Sequence, residues 1–486
     1  MLWKLAVIAA YALVIIVVGI MGLRRTRSFS DFFLGGGKVG SWMTAFTYGT
    51  AYFSAVVFIG FAGTVGWNFG YSGLWIAAGN TLIGVLAVWL LIGPTIRRMA
   101  ASFQVATMPE FFAKRYDSRF LQLFAPLCIF VFFIPYSAAV FIGLSYLFTA
   151  SFGISFGAAL AFMGSFTALY VVLGGYRSMA MIDVFFGMIM VVGVSVLLWS
   201  TIVSGGGIGQ LTATIAAVDG RLVQPVGPPG WWPLLTLVFL TSVAPMAMPQ
   251  LVQKFYAIRD EHAIRVGTWA STAFALLICG SAYFIGATTR ALLSPETAPR
   301  AFADGRPIFD ALIPELLTRV VHPSLSILIL LLILSASMST LAALVLISSS
   351  SVAKDIYADF LNPAVSDRAL TLLMRVASGG FIVLSVLLAW ARPASIVAIL
   401  GVSWGAIGSA FLGPFLWGLF WRGATRAGAV AAALGGLGLC LVLYATGTPS
   451  PAAGTLGMVA SLVLCPVVSL LSGRKNAAID VTAAWS

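Results

Sequence analysis

The chain has 486 residues, of which 60% are hydrophobic and 9% charged, and its mean hydropathy is +1.03. A soluble globular protein carries roughly 25% charged residues, and a disordered chain needs low hydrophobicity and high net charge, so both classes are excluded. Long continuous apolar runs also differ from the ~10-residue alternating segments of an outer-membrane barrel. The composition therefore predicts an all-α protein that crosses a lipid bilayer many times.

Thirteen apolar runs are long enough to cross a bilayer, which requires about 20 residues in a helix. Arginines follow the first run and no small-residue cleavage site is evident, so we interpret it as a retained helix and not as a signal peptide. The predicted spans are 5–22, 42–65, 74–97, 120–150, 155–176, 180–202, 232–252, 266–290, 325–352, 370–391, 395–420, 426–447 and 453–472.

The distribution of positive charge predicts the orientation. If the N-terminus lies outside, 20 of the 27 Lys and Arg residues fall in segments on the cytoplasmic side and 7 on the other side, which agrees with the positive-inside rule. None of the 27 then needs to lie at mid-membrane, and the net charge of +12 requires no nucleic-acid partner. We predict an N-out/C-in protein of a prokaryotic cell (inner) membrane.

Two of the predicted spans contain residues that interrupt helices. Span 42–65 has Gly49 at its centre among small and hydroxyl residues, and span 232–252 contains Pro245 and Pro249. Proline removes a backbone donor, and a freed backbone group inside a bilayer must find a partner in protein or in a cavity. The two breaks lie five spans apart, which is typical of secondary transporters built from inverted repeats with the binding site at the breaks. Gly and Pro are also common in ordinary membrane helices.

The ninth span contains a candidate cation face. Ala336, Ser339 and Thr340 stand at positions i, i+3 and i+4 and therefore share one helix face. Two hydroxyls and a backbone carbonyl supply part of the oxygen shell that a hard cation such as Na⁺ prefers. The alternative is that these hydroxyls bond to their own helix or join neighbouring helices.

Asp183, in "SMAMIDVFFGMIM", is the one acidic residue predicted inside a span. An ionisable group in that environment is a functional candidate, and the alternative is a carboxylate that caps the helix N-terminus. No combination of residues typical of nucleophilic or metal-assisted catalysis appears, and no pair of intramembrane carboxylates, so the sequence predicts that the protein is not an enzyme.

Five segments in order along roughly residues 5–445 resemble the sodium:solute symporter family, the group of the sodium–glucose, proline, pantothenate and iodide carriers. The segments are "DFFLGGGKVGSW" leading into "AYFSAVVFIGFAG", "TMPEFFAKRY", "YVVLGGYRSMAMIDVFFGMIMVVG", "LILSASMSTLAALVLISSSSVAKDIY" and "GPFLWGLFWRGATRAGAVAA".

This resemblance implies the leucine-transporter fold, two inverted repeats of five helices, and sodium-coupled symport by alternating access. Residues 1–486 would form a single membrane transport domain. Its parts would be an extra N-terminal helix at 5–22, a first repeat at 42–202, a second repeat at 232–420 and two C-terminal helices at 426–472.

The resemblance also implies the positions of the ions. The principal sodium site would use carbonyls of Thr50, Phe53 and Ala336 and the hydroxyls of Ser339 and Thr340. Some family members hold a second sodium near the position of Asp183 with hydroxyls where this chain has Ala342 and Ala343. We therefore predict one sodium, with Asp183 as a structural residue or a transient ion relay.

The solute is the part that the resemblance fixes least. The chain departs from the pattern of the sugar carriers, so a sugar is not expected. It offers no Arg or Lys at mid-membrane to bind a carboxylate, so a small monocarboxylate, an amino acid or a similar nutrient would be held by backbone dipoles. The residues implied to bind it are Tyr52, Ser54, Val57, Trp75, Asn80, Tyr136, Ser137, Pro249 and Gln250.

Two alternative functions remain at this stage. The first is a proton-coupled solute symporter that uses Asp183. The second is a transporter-fold sensor module, although only about a dozen residues follow Arg474 and a signalling domain would need more.

Overall fold

The structure is a computed structural model that describes residues 2–25, 33 and 40–473. Most of the "DFFLGGGKVGSW" segment lies outside the described residues. The described residues are mostly helical, and among them is one antiparallel two-stranded hairpin, Phe302–Ala303 with Arg306–Pro307.

Within the described residues, the first half of the chain contains nine α-helices, and two π-helical segments extend them. Val56–Phe61 leads into α3, and Asn80–Ile92 joins α4 to α5. The α-helices are α1 Leu2–Arg25, α2 Ser41–Tyr52, α3 Ala62–Phe69, α4 Leu74–Gly79, α5 Gly93–Phe103, α6 Met108–Tyr116, α7 Arg119–Phe152, α8 Phe156–Ser204 and α9 Ile208–Val218.

The second half, as far as residue 473, contains another nine, and the π-helical segment Ser351–Leu361 extends α14. The helices are α10 Trp231–Val243, α11 Pro249–Tyr256, α12 Glu261–Leu292, α13 Phe309–Val320, α14 Ser326–Ser350, α15 Asp367–Ala391, α16 Ile396–Phe420, α17 Arg426–Ala445 and α18 Ser450–Ser472.

Within the described residues, nine helices are long and apolar enough to cross a membrane, or ten if the bent α10–α11 pair forms one span. The number thirteen and the orientation therefore stay predictions. The largest difference concerns α8, whose 49 residues run continuously through both the fifth and the sixth predicted spans. The sequence predicted a connection near 177–179, where the structure continues the helix.

The first broken span is interrupted four residues later than the sequence predicted. Helix α2 continues past Gly49 and ends at Tyr52, and Phe53 and Ser54 are not helical. The glycine instead allows helix packing, since a Cβ atom there would lie 2.6 Å from the ring of Phe274. The break is stabilised from outside the segment, because the Ala55 N–H donates to Ser337 Oγ at 3.1 Å.

The second broken span is interrupted where the prolines predict. Helix α10 ends at Val243, Met248 is extended, and α11 begins at Pro249 with a bend of 40°. Pro245 cannot donate to the carbonyl four residues earlier. That carbonyl, of Thr241, instead accepts a hydrogen bond of 2.6 Å from the Tyr52 hydroxyl. The last residue of α2 thus compensates for a proline in the other broken span.

The core lies around α14 and α16, in which 89% of the most apolar window is buried, compared with 33% in α15 and 39% in α17 and α18. α14 packs against α7 and α8, and α16 against α7 and α18. A helix that is apolar on all sides is expected to be this buried. The hydroxyl groups of α14 and α16 therefore face protein and not lipid.

One basic residue lies in a different place from the one that the sequence predicts. The predicted span 232–252 leaves Lys254 in the following loop, but the residue lies inside α11 with no exposed surface. Arg115, near the end of α6, is also fully buried, although its guanidinium donates to the carbonyls of Gly418 and Trp421 at 3.0 Å. The Lys254 ammonium has no hydrogen-bond partner among the described residues.

Candidate sodium and solute site

The five residues predicted to hold sodium, which we call the sodium face, are all buried. Thr50 and Phe53 come from α2 and its break, and Ala336, Ser339 and Thr340 come from the middle of α14. The two helices meet there, because Ser339 Oγ donates to Thr50 Oγ1 at 2.8 Å. The structure therefore brings the two halves of the face into contact.

Carbonyl oxygens converge on one hydroxyl of the sodium face. Thr340 Oγ1 lies 3.3 Å from the carbonyls of Thr50 and Ala51 and 3.1 Å from that of Ala336. A hydroxyl has a single proton to donate, so it cannot satisfy three acceptors. The carbonyls of Thr50 and Ala51 are free to accept from Thr340 because the last four carbonyls of a helix have no partner within it.

This donor set fits a hard monovalent cation. It consists of neutral hydroxyl and carbonyl oxygens, the ligands that hard cations prefer. A cation among them would satisfy the acceptors that the single Thr340 proton leaves unpaired. Ala51 was not among the predicted residues, and Phe53 is present as the first non-helical residue, with extended backbone angles.

A small cavity lies beside the break in the first span, and we call it the solute cavity. Its volume is about 20 Å³, room for about one water molecule, so the chain is closed around it in this conformation. Of the predicted solute residues, it includes Tyr52, Ser54, Val57, Asn80 and Tyr136. The full lining is Tyr52, Phe53, Ser54, Val56, Val57, Phe61, Asn80, Tyr136, Thr241, Tyr283, Leu400 and Trp404.

Four of the predicted solute residues do not line this cavity. Ser137 of α7 and Pro249 and Gln250 of α11 are buried, but none is part of the lining. Trp75 is 55% exposed, and its indole N–H donates to the Pro225 carbonyl at 3.0 Å. Successive helical residues are separated by about 100°, so Trp75 and the lining residue Asn80, five positions later, point to different sides.

Several lining residues were missed by the sequence analysis, above all Trp404 of α16. Its ring stacks on Tyr52 at 6.1 Å between centroids and 11° between planes, and it meets Tyr136 edge-on at 5.7 Å. Tyr283 and Thr241 also line the cavity. The one signal in the sequence was an isolated tryptophan in the run "GVSWGAIG", among residues too small to cover it.

Half of the residues that line the cavity are aromatic, and none of the described lining residues is charged. Its polar groups include Ser54, Asn80 and Thr241, and Asn80 Oδ1 accepts from Ser242 at 3.1 Å. A second aromatic cluster, of Tyr48, Trp89 and Phe255, has ring centroids 5.0–5.6 Å apart and adjoins the cavity through the contact of Tyr48 with Tyr52. Together, these features favour a compact solute with no net charge, since the lining offers no charged side chain to pair with it.

Asp183 lies next to the sodium face but outside the solute cavity. It is fully buried on α8, and the Ser339 hydroxyl is close to its carboxylate. Neither carboxylate oxygen has a hydrogen-bond partner in good geometry among the described residues. The group is therefore not a helix cap, which was the structural alternative.

Comparison with known proteins supports a common origin with sodium-coupled carriers. The chain is 26% identical to the osmoregulated proline transporter OpuE of Bacillus subtilis over 475 residues, which covers 96% of this chain and 94% of the transporter. It is 27% identical to the sodium/pantothenate symporter of Escherichia coli over 451 residues, covering 90% and 89%.

Among solved structures, the chain resembles a Na⁺-coupled sialic acid symporter in a substrate-bound outward-open state. The TM-score is 0.83 at 17% identity, with 98% of this chain and 99% of that one covered. It also resembles the nucleobase-cation-symport-1 family transporter Mhp1 in a closed conformation, with a TM-score of 0.53 at 15% identity, covering 92% and 95%. These similarities show the leucine-transporter fold.

The model of the sodium:solute symporter family matches residues 32–436. This match spans most of the chain and includes both breaks, the sodium face and the solute cavity. The chain therefore belongs to the sodium:solute symporter family and is a multi-pass membrane transporter that carries a small solute together with sodium.

Proposed function

We propose that the sodium face binds the coupling ion and that the solute cavity binds a small amino acid, with L-proline as the first candidate. The observation that carries the proposal is the convergence of three carbonyls on the single Thr340 hydroxyl, directly beside the break that also lines the cavity. One ion there would hold α2 against α14 and so fix the wall of the cavity.

The choice of solute depends on the cavity and on the relatives. Its wall offers aromatic rings and neutral polar groups, which suit a compact solute whose charges balance. Aromatic faces attract a cationic amine, and backbone dipoles at a broken helix can bind a carboxylate without a basic side chain. Two of the relatives are proline transporters by name.

The proposed arrangement in the membrane follows the sequence analysis. The chain would cross a prokaryotic inner membrane thirteen times, N-out/C-in, with repeats at 42–202 and 232–420 and no catalytic step. The solute cavity would open alternately to the two sides, and the Tyr48–Trp89–Phe255 cluster would close one of them. The closed cavity of about 20 Å³ would then be the occluded stage of that cycle.

The test is uptake of radiolabelled L-proline into proteoliposomes that contain the purified protein. We expect accumulation with an inward sodium gradient and none with an equal potassium gradient. Ser339→Ala/Thr340→Ala should abolish it, while Ser349→Ala should retain it. Ser349 is a matched control because it is equally buried on α14 but bonds only to its own helix, at Val345.

Pantothenate, a monocarboxylate, is tested in parallel. Sodium-driven uptake of pantothenate alone would replace the amino acid in the proposal and leave the sodium face intact. Uptake that is unaffected by Ser339→Ala/Thr340→Ala would contradict the sodium face. Uptake driven by a proton gradient without sodium would favour coupling through Asp183.

A further inference from the structure

The N-terminal helix α1 carries a single polar side chain in its apolar run, and the proposed function gives it no role. Within residues 5–23, Tyr11 is the one residue whose side chain has a hydroxyl, an amide or a charge. Leu13 and Val17 of this helix are exposed, whereas Tyr11 and Ile15 are buried. A hydroxyl inside a membrane is costly unless it has a hydrogen-bond partner, so Tyr11 needs a partner on a neighbouring helix.

That partner is a serine of α14. Tyr11 Oη and Ser335 Oγ lie 3.1 Å apart, and both residues are buried. The hydroxyls of Ser349 and Ser350, further along α14, bond to carbonyls of their own helix. Ser335 differs from them because its hydroxyl bonds to a helix 324 positions away in the sequence.

Tyr11 also contacts α8 and so joins two helices that pack against one another. Its ring stacks on that of Phe186, with centroids 5.8 Å apart and 20° between the planes, and lies 6.2 Å from the ring of Phe185. Helix α1 packs along α8 and also reaches α14, and α8 packs against α14. A residue that contacts both helices restrains one relative to the other.

The bond reaches α14 next to the sodium face. Ser335 precedes Ala336, whose carbonyl is 3.1 Å from Thr340 Oγ1, and it lies four positions before Ser339 on the same side of the helix. Ser339 in turn donates to Thr50 Oγ1 at 2.8 Å. Because successive helical residues are separated by about 100°, these contacts require one particular rotation of α14 about its axis. The bond from α1 acts on that rotation one turn away from Ser339.

We propose that α1 positions the sodium face and that Tyr11 is the positioning residue, through its bond with Ser335. The bond holds α14 in the rotation in which Ser339 and Thr340 face α2. Tyr11 does not touch the ion. It raises the fraction of the protein in which the face is complete, and the apparent affinity for the ion falls in proportion when that fraction falls. The inference rests on the proposed sodium face.

The test is a double-mutant cycle on the sodium dissociation constant of the full-length protein, measured from the sodium dependence of thermal unfolding. Tyr11→Phe removes the hydroxyl and keeps the ring, and Ser335→Ala removes its partner. A hydrogen bond between neutral groups corresponds to about fivefold in an equilibrium constant, so each variant should raise the dissociation constant about fivefold. Tyr11→Phe/Ser335→Ala should show the same rise, because both changes remove one bond.

Tyr71→Phe is the matched control. The Tyr71 hydroxyl lies 2.9 Å from Thr212 Oγ1, so it also joins a tyrosine to a hydroxyl side chain far away in the sequence. Both residues lie outside α2, α8 and α14. The sodium dissociation constant of Tyr71→Phe should stay within twofold of the wild-type value, whereas a general effect of losing a tyrosine hydroxyl would raise it as well.

Amide hydrogen exchange in potassium gives a second readout that needs no sodium. Buried amides exchange through local openings of the structure, and the bond from Tyr11 opposes openings that turn α14. Tyr11→Phe should therefore speed exchange across residues 333–343, and Tyr71→Phe should not. Exchange equal to that of the wild type in Tyr11→Phe would contradict the hold of α1 on α14.

Two further results would overturn the role of Tyr11. One is a Tyr11→Phe protein whose sodium dissociation constant matches the wild type. The other is a double variant whose rise is the product of the two single rises, which would mean that the two hydroxyls act independently. If Ser335→Ala fails to fold, Tyr11→Phe measured against Tyr71→Phe decides the question.

A failure of the sodium face would look different. A wild type that sodium stabilises no more than potassium does would contradict the face and, with it, the role of Tyr11 in ion binding. A wild type that sodium stabilises, beside a Tyr11→Phe protein of unchanged sodium affinity, would contradict the role of Tyr11 alone.

Discussion

The sodium face and the solute cavity share the break after Tyr52, yet they are built in different ways. The face uses neutral oxygens from two helices, and its α14 residues lie within five positions of one another. The cavity collects side chains from six different parts of the chain, from Tyr52 to Trp404, and half of the residues that line it are aromatic. A site made by local helix periodicity can be read from a sequence, whereas a site made by helix packing cannot.

The difference also concerns what holds each site closed. The face is held by hydrogen bonds of 2.8–3.3 Å between α14 and the end of α2. The cavity is closed by rings that stack without hydrogen bonds between them, such as Tyr52 on Trp404. The ion site should therefore be sensitive to the loss of single oxygens, and the solute site to the loss of ring area.

The largest effect is expected where one change breaks both sites. A Cβ atom on Gly286 of α12 would lie 2.1 Å from the Ala62 carbonyl, and one on Gly66 would lie 1.9 Å from Gly286 backbone. The backbone cannot yield as a flexible side chain would, so Gly286→Ala should destabilise the fold by about 3 kcal/mol. Thermal unfolding in detergent measures this.

Gly280→Ala is the matched control on the same helix. A Cβ atom there meets nothing within 4 Å, and alanine is favoured over glycine in a helix by about 1 kcal/mol. We expect its melting temperature to equal or exceed that of the wild type. Equal losses in the two variants would contradict the close crossing of α3 and α12.

The next effect should separate the sodium face from the cavity. Thr340→Val removes the hydroxyl on which three carbonyls converge and keeps the side chain's shape. Loss of one such polar contact costs about 2 kcal/mol, equivalent to a ~30-fold rise in the sodium dissociation constant. The measurement is the sodium dependence of thermal unfolding, since a ligand of the folded state raises stability with its concentration.

Potassium at equal ionic strength and the Ser349→Ala variant serve as controls for Thr340→Val. Potassium should not stabilise the wild type, and Ser349→Ala should keep the sodium response of the wild type. A Thr340→Val protein whose sodium response matched the wild type would remove Thr340 from the ion site.

A smaller effect should touch the cavity alone. Trp404→Ala removes the ring that stacks on Tyr52 and meets Tyr136, and such aromatic contacts contribute about 1.4 kcal/mol. We expect proline affinity to fall about tenfold, while the sodium response without proline changes less than twofold. Isothermal titration in saturating sodium checks the first and thermal unfolding the second.

The exposed Trp390 of α15, which is 64% exposed, is the control for Trp404. Trp390→Ala should change neither affinity. A large loss of sodium affinity in Trp404→Ala would mean that the sodium face and the solute cavity are not separable.

The smallest effect is expected on the stability of the protein at Asp310, in the first turn of α13. Its Oδ2 accepts from the Ile396 N–H at 3.1 Å, at the start of the helix that carries Trp404. Burial raises the pKa of Asp310 to about 6 from its ordinary value of 3.8, and the bond from Ile396 opposes that rise. The folded protein thus binds this proton more tightly than the unfolded chain.

The sign of the pH dependence follows from linkage. The contribution of Asp310 to stability is fully present below about pH 3.8 and is lost as the pH rises to about 6. On acidification from pH 6 to pH 4, the wild type should gain stability relative to Asp310→Asn, which has no such proton. Parallel melting curves of the two proteins over that range would contradict the assignment.

The sequence predicted much of this protein from composition and local periodicity. Apolar runs of membrane length predict the helices, and Pro245 and Pro249 predict the second break because proline lacks an N–H wherever it lies. Ser339 and Thr340 share a face with Ala336 because helical spacing alone puts them there. Each of these properties belongs to one segment, so no knowledge of its neighbours is needed.

The tertiary structure decided what depends on contacts between distant segments. The first broken span is interrupted at Phe53 and not at Gly49. At this break the Ala55 N–H donates a hydrogen bond to Ser337 of α14. Trp404 enters the solute cavity because α16 packs beside the first break, and Trp75 is excluded because its side of α4 faces outward. Lys254 is buried with its ammonium 5.0 Å from the ring centroid of Tyr176, a residue of a helix far away in the sequence. Unpaired backbone groups and buried charges need partners from whichever segments the fold brings near, and the sequence of one segment does not specify those partners.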